Sequence, residues 1–196
     1  GDTYFPQIVG LADGGFVIGY FSGPSQLFFS RFAADGSRAD GGTDTKVVSD
    51  NPLYFDDLVA LNDGGFIFSW TKGPNNSKVI YTKRYAIDSS SGELTEKPTI
   101  QETSYHSFDS DLAALNDGGY LLTFGAKGRL NDSNFGIVAI RYDSSGVRVG
   151  SETRINNTTS PSQEFPSVAG MADGGYVVAW ESYDGDIDGG VYARVF

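Results

Sequence analysis

Short apolar runs alternate with turns rich in glycine and aspartate, and the pattern returns four times along the chain. Ile8-Val9-Gly10-Leu11, Leu58-Val59-Ala60-Leu61, Leu112-Ala113-Ala114-Leu115 and Val168-Ala169-Gly170-Met171 are apolar at successive positions and small in places. That is the pattern of a crowded inner strand covered on both faces. Each run leads to the same tetrapeptide type: Asp13-Gly14-Gly15-Phe16, Asp63-Gly64-Gly65-Phe66, Asp117-Gly118-Gly119-Tyr120 and Asp173-Gly174-Gly175-Tyr176. Glycine takes positive φ without a Cβ clash, so the paired glycines predict a tight type I′ hairpin. A second strand follows at 16–20, 66–70, 120–124 and 176–180. Its large aromatics recur at alternate positions, which places them on one face, ready to pack on a neighbouring sheet. A third strand is predicted at 28–32, 80–85, 137–142 and 191–196. A fourth appears three times, at 45–48, 98–101 and 153–156, where Pro98 suits an outer edge because its missing N–H costs little there.

The repeat is therefore a four-stranded meander of about fifty residues. One such sheet cannot bury both of its faces. Sheets set radially around an axis cover one another and protect their edges. The expected fold is all-β: a four-bladed β-propeller forming a single domain over residues 1–196, with units at 1–50, 51–104, 105–160 and 161–196. A sandwich-like stack and an open solenoid are the competing arrangements. The last unit shows no fourth strand. Its blade is then three-stranded, or shortened, or completed by a partner through the open edge. A homodimer with eight units in one ring is a further arrangement, as is contact of that edge with a longer parent chain.

Composition narrows the partners. The 196 residues carry a formal net charge of -11, which repels phosphate backbones and anionic lipid. Neither nucleic acid nor membrane insertion is expected, and no run approaches eighteen apolar residues. There is no cysteine, so disulfides, thiolate nucleophiles and Cys-ligated zinc are excluded. The chain opens directly in the repeat pattern with no leader peptide, as a mature or excised piece of something longer would.

Candidate chemistry lies in the loops. Those between second and third strands, at 22–26, 71–78, 126–134 and 182–190, vary in length and content, whereas the Asp-Gly-Gly hairpins hardly vary. In an up-and-down blade these loops share a face with the crossings at 50–55, 104–108 and 158–165. Variable loops on a fixed scaffold are where recognition usually sits. Tyr54, Tyr105, His106, Asn131, Asp132 and Tyr183 are the candidate ligand-binding residues, because aromatic planes beside amides and carboxylates suit sugars. Phe5, Phe55, Phe108 and Phe165 read instead as packing between blades. Asp184, Asp186 and Asp188 alternate with Gly185 and Ile187 before Gly189, a spacing that can wrap a hard cation, so calcium is the candidate cofactor. A plain acidic hairpin loop is the other reading of that stretch. Arg31, Arg84 and Arg141 are expected to pair with aspartates of an adjacent blade. Catalysis has little to stand on: His106 is the single histidine, and no Ser-His-Asp spacing appears. The pairs Asp56-Asp57 and Asp109/Asp111 suit glycoside hydrolysis in principle, but short acidic runs at strand entrances are more often turn and solvent residues.

The succession of small-apolar strand, Asp-Gly-Gly-aromatic, aromatic strand, loop and Val191-Tyr192-Ala193-Arg194 resembles a tandem repeat of large bacterial secreted proteins. Haemolysin-type calcium-binding (RTX) exoproteins and cadherin-like adhesins are among them. The stretch 165–196 carries the resemblance best, and all four units share its core. The resemblance implies an extracellular repeat region that serves attachment or ligand binding, with no particular reaction. Two departures stand out: the Gly-Asp nonapeptides that bind calcium in those exoproteins are absent, and Val195 stands where other units have arginine. The leading expectation is thus a non-catalytic binding module of a bacterial secreted or surface protein, for a carbohydrate or protein ligand. A structural or assembly unit is the alternative, and a polysaccharide-degrading enzyme a third reading.

Overall fold

The computed structural model describes residues 3–23, 26–48, 52–183 and 189–196. All regular structure among them is β-strand, in four antiparallel meanders. Sheet one holds β1 (Thr3–Gly10), β2 (Phe16–Ser22), β3 (Leu27–Phe32) and β4 (Thr45–Val48). Sheet two holds β5 (Pro52–Ala60), β6 (Phe66–Lys72) and β7 (Val79–Ile87), with β8 (Leu94–Glu96) and β9 (Ile100–Gln101) both paired to β7. Its outer strand is interrupted around Pro98, which has no N–H to donate. Sheet three holds β10 (Ser107–Ala114), β11 (Tyr120–Lys127), β12 (Phe135–Tyr142) and β13 (Arg148–Arg154). Sheet four is three-stranded: β14 (Gln163–Gly170), β15 (Tyr176–Ser182) and β16 (Gly190–Val195).

The Asp-Gly-Gly hairpin is built differently from the type I′ turn predicted. Leu11 N–H donates to Gly15 O at 2.8 Å and Gly14 N–H to Leu11 O at 3.1 Å, and the other three units repeat both bonds. Only the first glycine of each pair has positive φ, at 82°, 85°, 85° and 95°. This is the three-residue hairpin, an ordinary turn followed by one left-handed glycine. The second glycine is required for space. A Cβ there would lie 2.4 Å from Phe32 O at Gly15 and 2.2 Å from Tyr142 O at Gly119. The aspartate ties the turn down, its Oδ1 accepting the N–H of the second glycine at 2.9 to 3.1 Å in all four units.

The other aspartate oxygen meets the third-strand arginine of its own sheet: Arg31–Asp13 at 3.0 Å, Arg84–Asp63 at 2.5 Å and Arg141–Asp117 at 2.5 Å. The expected pairing across blades is thus replaced by pairing within one. What crosses the boundary is the rest of the guanidinium. Arg31 Nη1 donates to Gly92 O of sheet two, and Arg84 Nη2 to Ser144 O of sheet three, each at 2.8 Å.

Each boundary between sheets is a hydrophobic layer. Val17, Leu27 and Phe29 on the front of sheet one pack on Leu58, Phe66, Phe68 and Tyr85 at the back of sheet two. Ile67 and Ile80 pack likewise on Leu112, Leu122 and Phe124. Leu121, Ile137 and Ala139 pack on Val168, Val178 and Trp180. Fully burying one such side chain stabilises by about 1.5–3 kcal/mol, so these layers dominate the cohesion of the fold. Inner strand β5 lies on β1 and β2, β10 on β5 to β7, and β14 on β10 to β12, which lays the sheets in sequence along an arc. Among the described residues, no extensive strand contact joins sheet one to sheet four.

Candidate functional site

The inner strands enter the fold through bulges at matched positions. Gln7, Asp57, Asp111 and Ser167 pair with Gly19, Ser69, Thr123 and Ala179, which makes them equivalent, and the register slips just before each one. In three sheets the slip is two residues wide, and its first residue is non-glycine with left-handed backbone: Phe5 (φ 53°), Asp109 (φ 51°) and Phe165 (φ 52°). Such backbone costs energy for a residue with a Cβ, and bulges of this kind re-aim side chains beside binding and catalytic sites. Phe5 and Phe165 are mostly exposed, so they do not serve as the interblade packing expected of them. Phe55, at the same register but without left-handed backbone, is buried and does pack.

Between these entrances lies a cleft of about 350 Å³ lined by Tyr54, Phe55, Asp56, Asp109, Ser110, Asp111, Phe165 and Pro166. A pocket of about 250 Å³ adjoins it over sheet one, sharing Tyr54 and Phe55 and adding Phe5, Pro6, Gln7 and Phe21. Of the acidic pairs read from the sequence as turn residues, Asp56, Asp109 and Asp111 thus line a cleft.

Each carboxyl there is distinct. Asp56 is half-buried, and its Oδ2 accepts from Thr71 Oγ1 at 2.6 Å and Ser110 Oγ at 2.8 Å. Burial outweighs those hydroxyls and pushes its pKa up to about 7. Asp57 accepts the N–H of Leu58 at 2.8 Å and of Leu112 at 2.9 Å. Asp111 accepts the N–H of Val168 at 2.6 Å. Burial first and the charge of Asp111 second raise Asp57 to about 7. Asp111 is raised by burial as well. Among the described residues, neither an amide nor a hydroxyl hydrogen bonds to Asp109. Burial lifts it to about 6, Lys78 pulls it back, and the charge of Glu164 pushes it up further.

The sequence candidates divide around this cleft. Tyr54 lines it, half exposed, with Lys78 Nζ 4.6 Å above its ring. His106 stands beside Phe108 and Phe135, its pKa lowered by burial and by Lys127 and Lys78, the lysine that also acts on Asp109. Tyr183 directly follows β15 of sheet four and is not among the cleft-lining residues, its hydroxyl 3.3 Å from Glu181, which in turn raises Glu164. Tyr105 lies apart, packed against the core between sheets two and three beneath Arg129, which pairs with Glu152 at 2.6 Å. Asn131 is a left-handed loop residue, and buried Asp132 accepts from Asn156 Nδ2 at 3.2 Å, so both belong to the β11–β12 loop rather than to the cleft. Asp184, Asp186 and Asp188 lie outside the described residues, and no group of three or more potential metal ligands occurs among the described ones. Glu164 and Lys78 escaped the sequence reading, where Asp109 is named in an acidic pair but read as a turn residue. The available signal was register, since Asp57 and Asp111 both stand six residues before the hairpin aspartate.

No family model and no curated protein matches the chain. Solved structures do. The chain superposes on an α-L-arabinanase of Penicillium chrysogenum complexed with arabinobiose, at TM-score 0.61 and 13% identity over 99% of this chain and 62% of that one. A GH93 α-L-arabinofuranosidase of Fusarium graminearum gives TM-score 0.61 and 11% identity over 98% and 62%. A protein of unknown function from Dyadobacter fermentans gives 0.62 and 12% over 99% and 65%. The chain spans less than two thirds of the length of these proteins. The likeness establishes an all-β, propeller-type fold. It also corrects the expectation of a non-catalytic binding module, because the neighbours with a named activity are glycoside hydrolases.

Proposed function

We propose that the chain is a carbohydrate-cleaving domain that hydrolyses glycosidic bonds of an arabinose-containing polysaccharide in the cleft at the inner-strand entrances. The observation that carries this reading is Asp109, which a strained bulge presents to an acidic cleft flanked by the exposed rings of Tyr54 and Phe165. A carboxyl lifted to about 6 keeps a proton to donate under mildly acidic conditions. In the proposed reaction Asp109 gives that proton to the glycosidic oxygen as the bond to the anomeric carbon breaks. Glu164, within electrostatic reach, is the second carboxyl, and its ionised form stabilises the positive charge that develops on the sugar. Water supplies the hydroxyl to the anomeric carbon, and its remaining proton returns to the carboxylates. Asp56, Asp57 and Asp111 position the entrances through their amide and hydroxyl bonds. The rings of Tyr54, Phe165 and, in the adjoining pocket, Phe5 offer flat apolar surface to successive sugar units. A polymeric substrate of this kind lies outside the cell, which accords with a secreted or surface location.

The test is reducing-sugar release from arabinan and a panel of other polysaccharides between pH 4 and 8. Release that falls by at least about a hundredfold in Asp109→Asn, with the fold intact, supports the reading. No release from any member of the panel, or release unchanged in Asp109→Asn, overturns it.

A further inference from the structure

The two ends of the arc carry faces that the repeat itself shows how to cover. On the front of sheet four Val191 is 80% exposed and Val195 65%. The residues equivalent to Val191, namely Leu27, Ile80 and Ile137, are wholly buried, each beneath the next sheet. On the back of sheet one Ile8 is 67% exposed, whereas its equivalents Leu58, Leu112 and Val168 are buried against the preceding sheet. The same face of sheet one carries two stacked aromatic pairs, Phe16–Phe32 at 4.7 Å and Tyr20–Phe28 at 6.4 Å, all four rings only partly covered. Their counterparts in sheet two, Phe66–Tyr85 and Trp70–Tyr81, are stacked the same way, and Phe66, Tyr85 and Trp70 are buried.

The front of sheet four therefore asks for a sheet back like that of sheet one, and the back of sheet one asks for a front like that of sheet four. We propose that a second copy of this chain supplies both, the front of sheet four in one copy docking on the back of sheet one in the other. Two such head-to-tail contacts close a ring of eight sheets, within the range that propellers occupy. Each contact continues the layer already present at the three internal boundaries. Val195 fits this arrangement, because it replaces with an apolar side chain the arginine that elsewhere reaches toward the next sheet's outer turn.

Sedimentation in 150 mM salt, which screens the net charge of -11, tests the proposal. A species of twice the 21.0 kDa chain mass is expected. Val191→Glu and Ile8→Glu should each raise the dissociation constant at least about tenfold by placing an unpaired charge in the contact. Both residues are exposed in the single chain, so at concentrations where the wild-type chain is monomeric the variants should unfold at its temperature. Each variant keeps one sound face, and mixing the two should restore a dimer joined by a single contact. A chain that stays monomeric at several hundred micromolar overturns the proposal and leaves these faces to another sheet of the same repeat type. A dimer that survives both substitutions also overturns it, pointing to pairing along the β16 edge.

Discussion

Asp57 Oδ2 accepts the main-chain N–H of Leu112 at 2.9 Å, across the boundary between sheets two and three. Asp111 repeats this with Val168 at 2.6 Å across the next boundary. An amide beside a bulge has lost its ladder partner, and the preceding sheet supplies the acceptor. Asp57→Ala strands the N–H groups of Leu58 and Leu112 and is expected to cost about 2 kcal/mol in urea unfolding at pH 7. Asp57→Asn keeps one acceptor and should lose clearly less. Equal losses in the two variants would show that packing, not the acceptor, matters.

The same carboxyls set the pH dependence of stability. Asp56 and Asp57 are raised to about 7 and Asp109 to about 6 in the folded chain, against ordinary aspartate values near 4 when unfolded. Between pH 4 and pH 7 the folded state therefore holds protons that the unfolded state has released, and stability falls as pH rises through that window. Below about pH 4 the sign reverses, because Asp88, Asp117 and Asp143 are held under the usual range by their hydroxyl and amide donors and lose that advantage on protonation. The melting temperature should peak near pH 4 to 5, and Asp56→Asn should flatten the descent toward neutrality. A rise in melting temperature from pH 5 to pH 7 would contradict this account.

The two hairpin glycines should fail differently. Gly118→Ala places a Cβ on a residue at φ 85° and should cost about 1 kcal/mol. Gly119→Ala drives a Cβ to 2.2 Å from the main-chain oxygen of Tyr142, which cannot yield without parting β11 from β12. Its cost should exceed that of Gly118→Ala severalfold in chemical denaturation.

Equivalent positions at an internal and a terminal face should also separate. Ile137→Ala opens space in a fully buried layer and is expected to cost about 2–5 kcal/mol. Val191→Ala, at the matched position of sheet four, should change the unfolding free energy of the isolated chain by less than about 0.5 kcal/mol. A large loss at Val191 in a dilute, monomeric sample would mean that its face is covered within the chain itself.

The first three strands of each unit and the hairpin positions were legible because the chain states each of them four times, with large aromatics at period two. The outer strands, stated three times, were not, since those of sheets two and three begin at Leu94 and Arg148, ahead of the predicted ranges. The turn type was not, since the second glycine answers to a carbonyl oxygen from the third strand rather than to its own dihedral angles. The acidic floor of the cleft was visible as residue pairs but not as a site. Sequence spacing put Asp109 and Asp111 at a strand entrance, where solvent is the ordinary neighbour. Only the lateral stacking of sheets shows that Asp111 lies under sheet four and against Asp57. Asp132 illustrates the converse, a polar loop residue that looks free in sequence and is folded back onto Asn156.

Every internal boundary uses one set of positions, so the units are interchangeable as building parts. Excision of residues 51–104 would bring Leu27 and Phe29 of the first unit against Leu112 and Tyr120 of the third, a seam of the kind already in use. The cleft has no such latitude. It draws Asp56, Asp109 and Phe165 from three successive units, so shuffling or duplication that leaves the scaffold sound would still dismantle the chemistry.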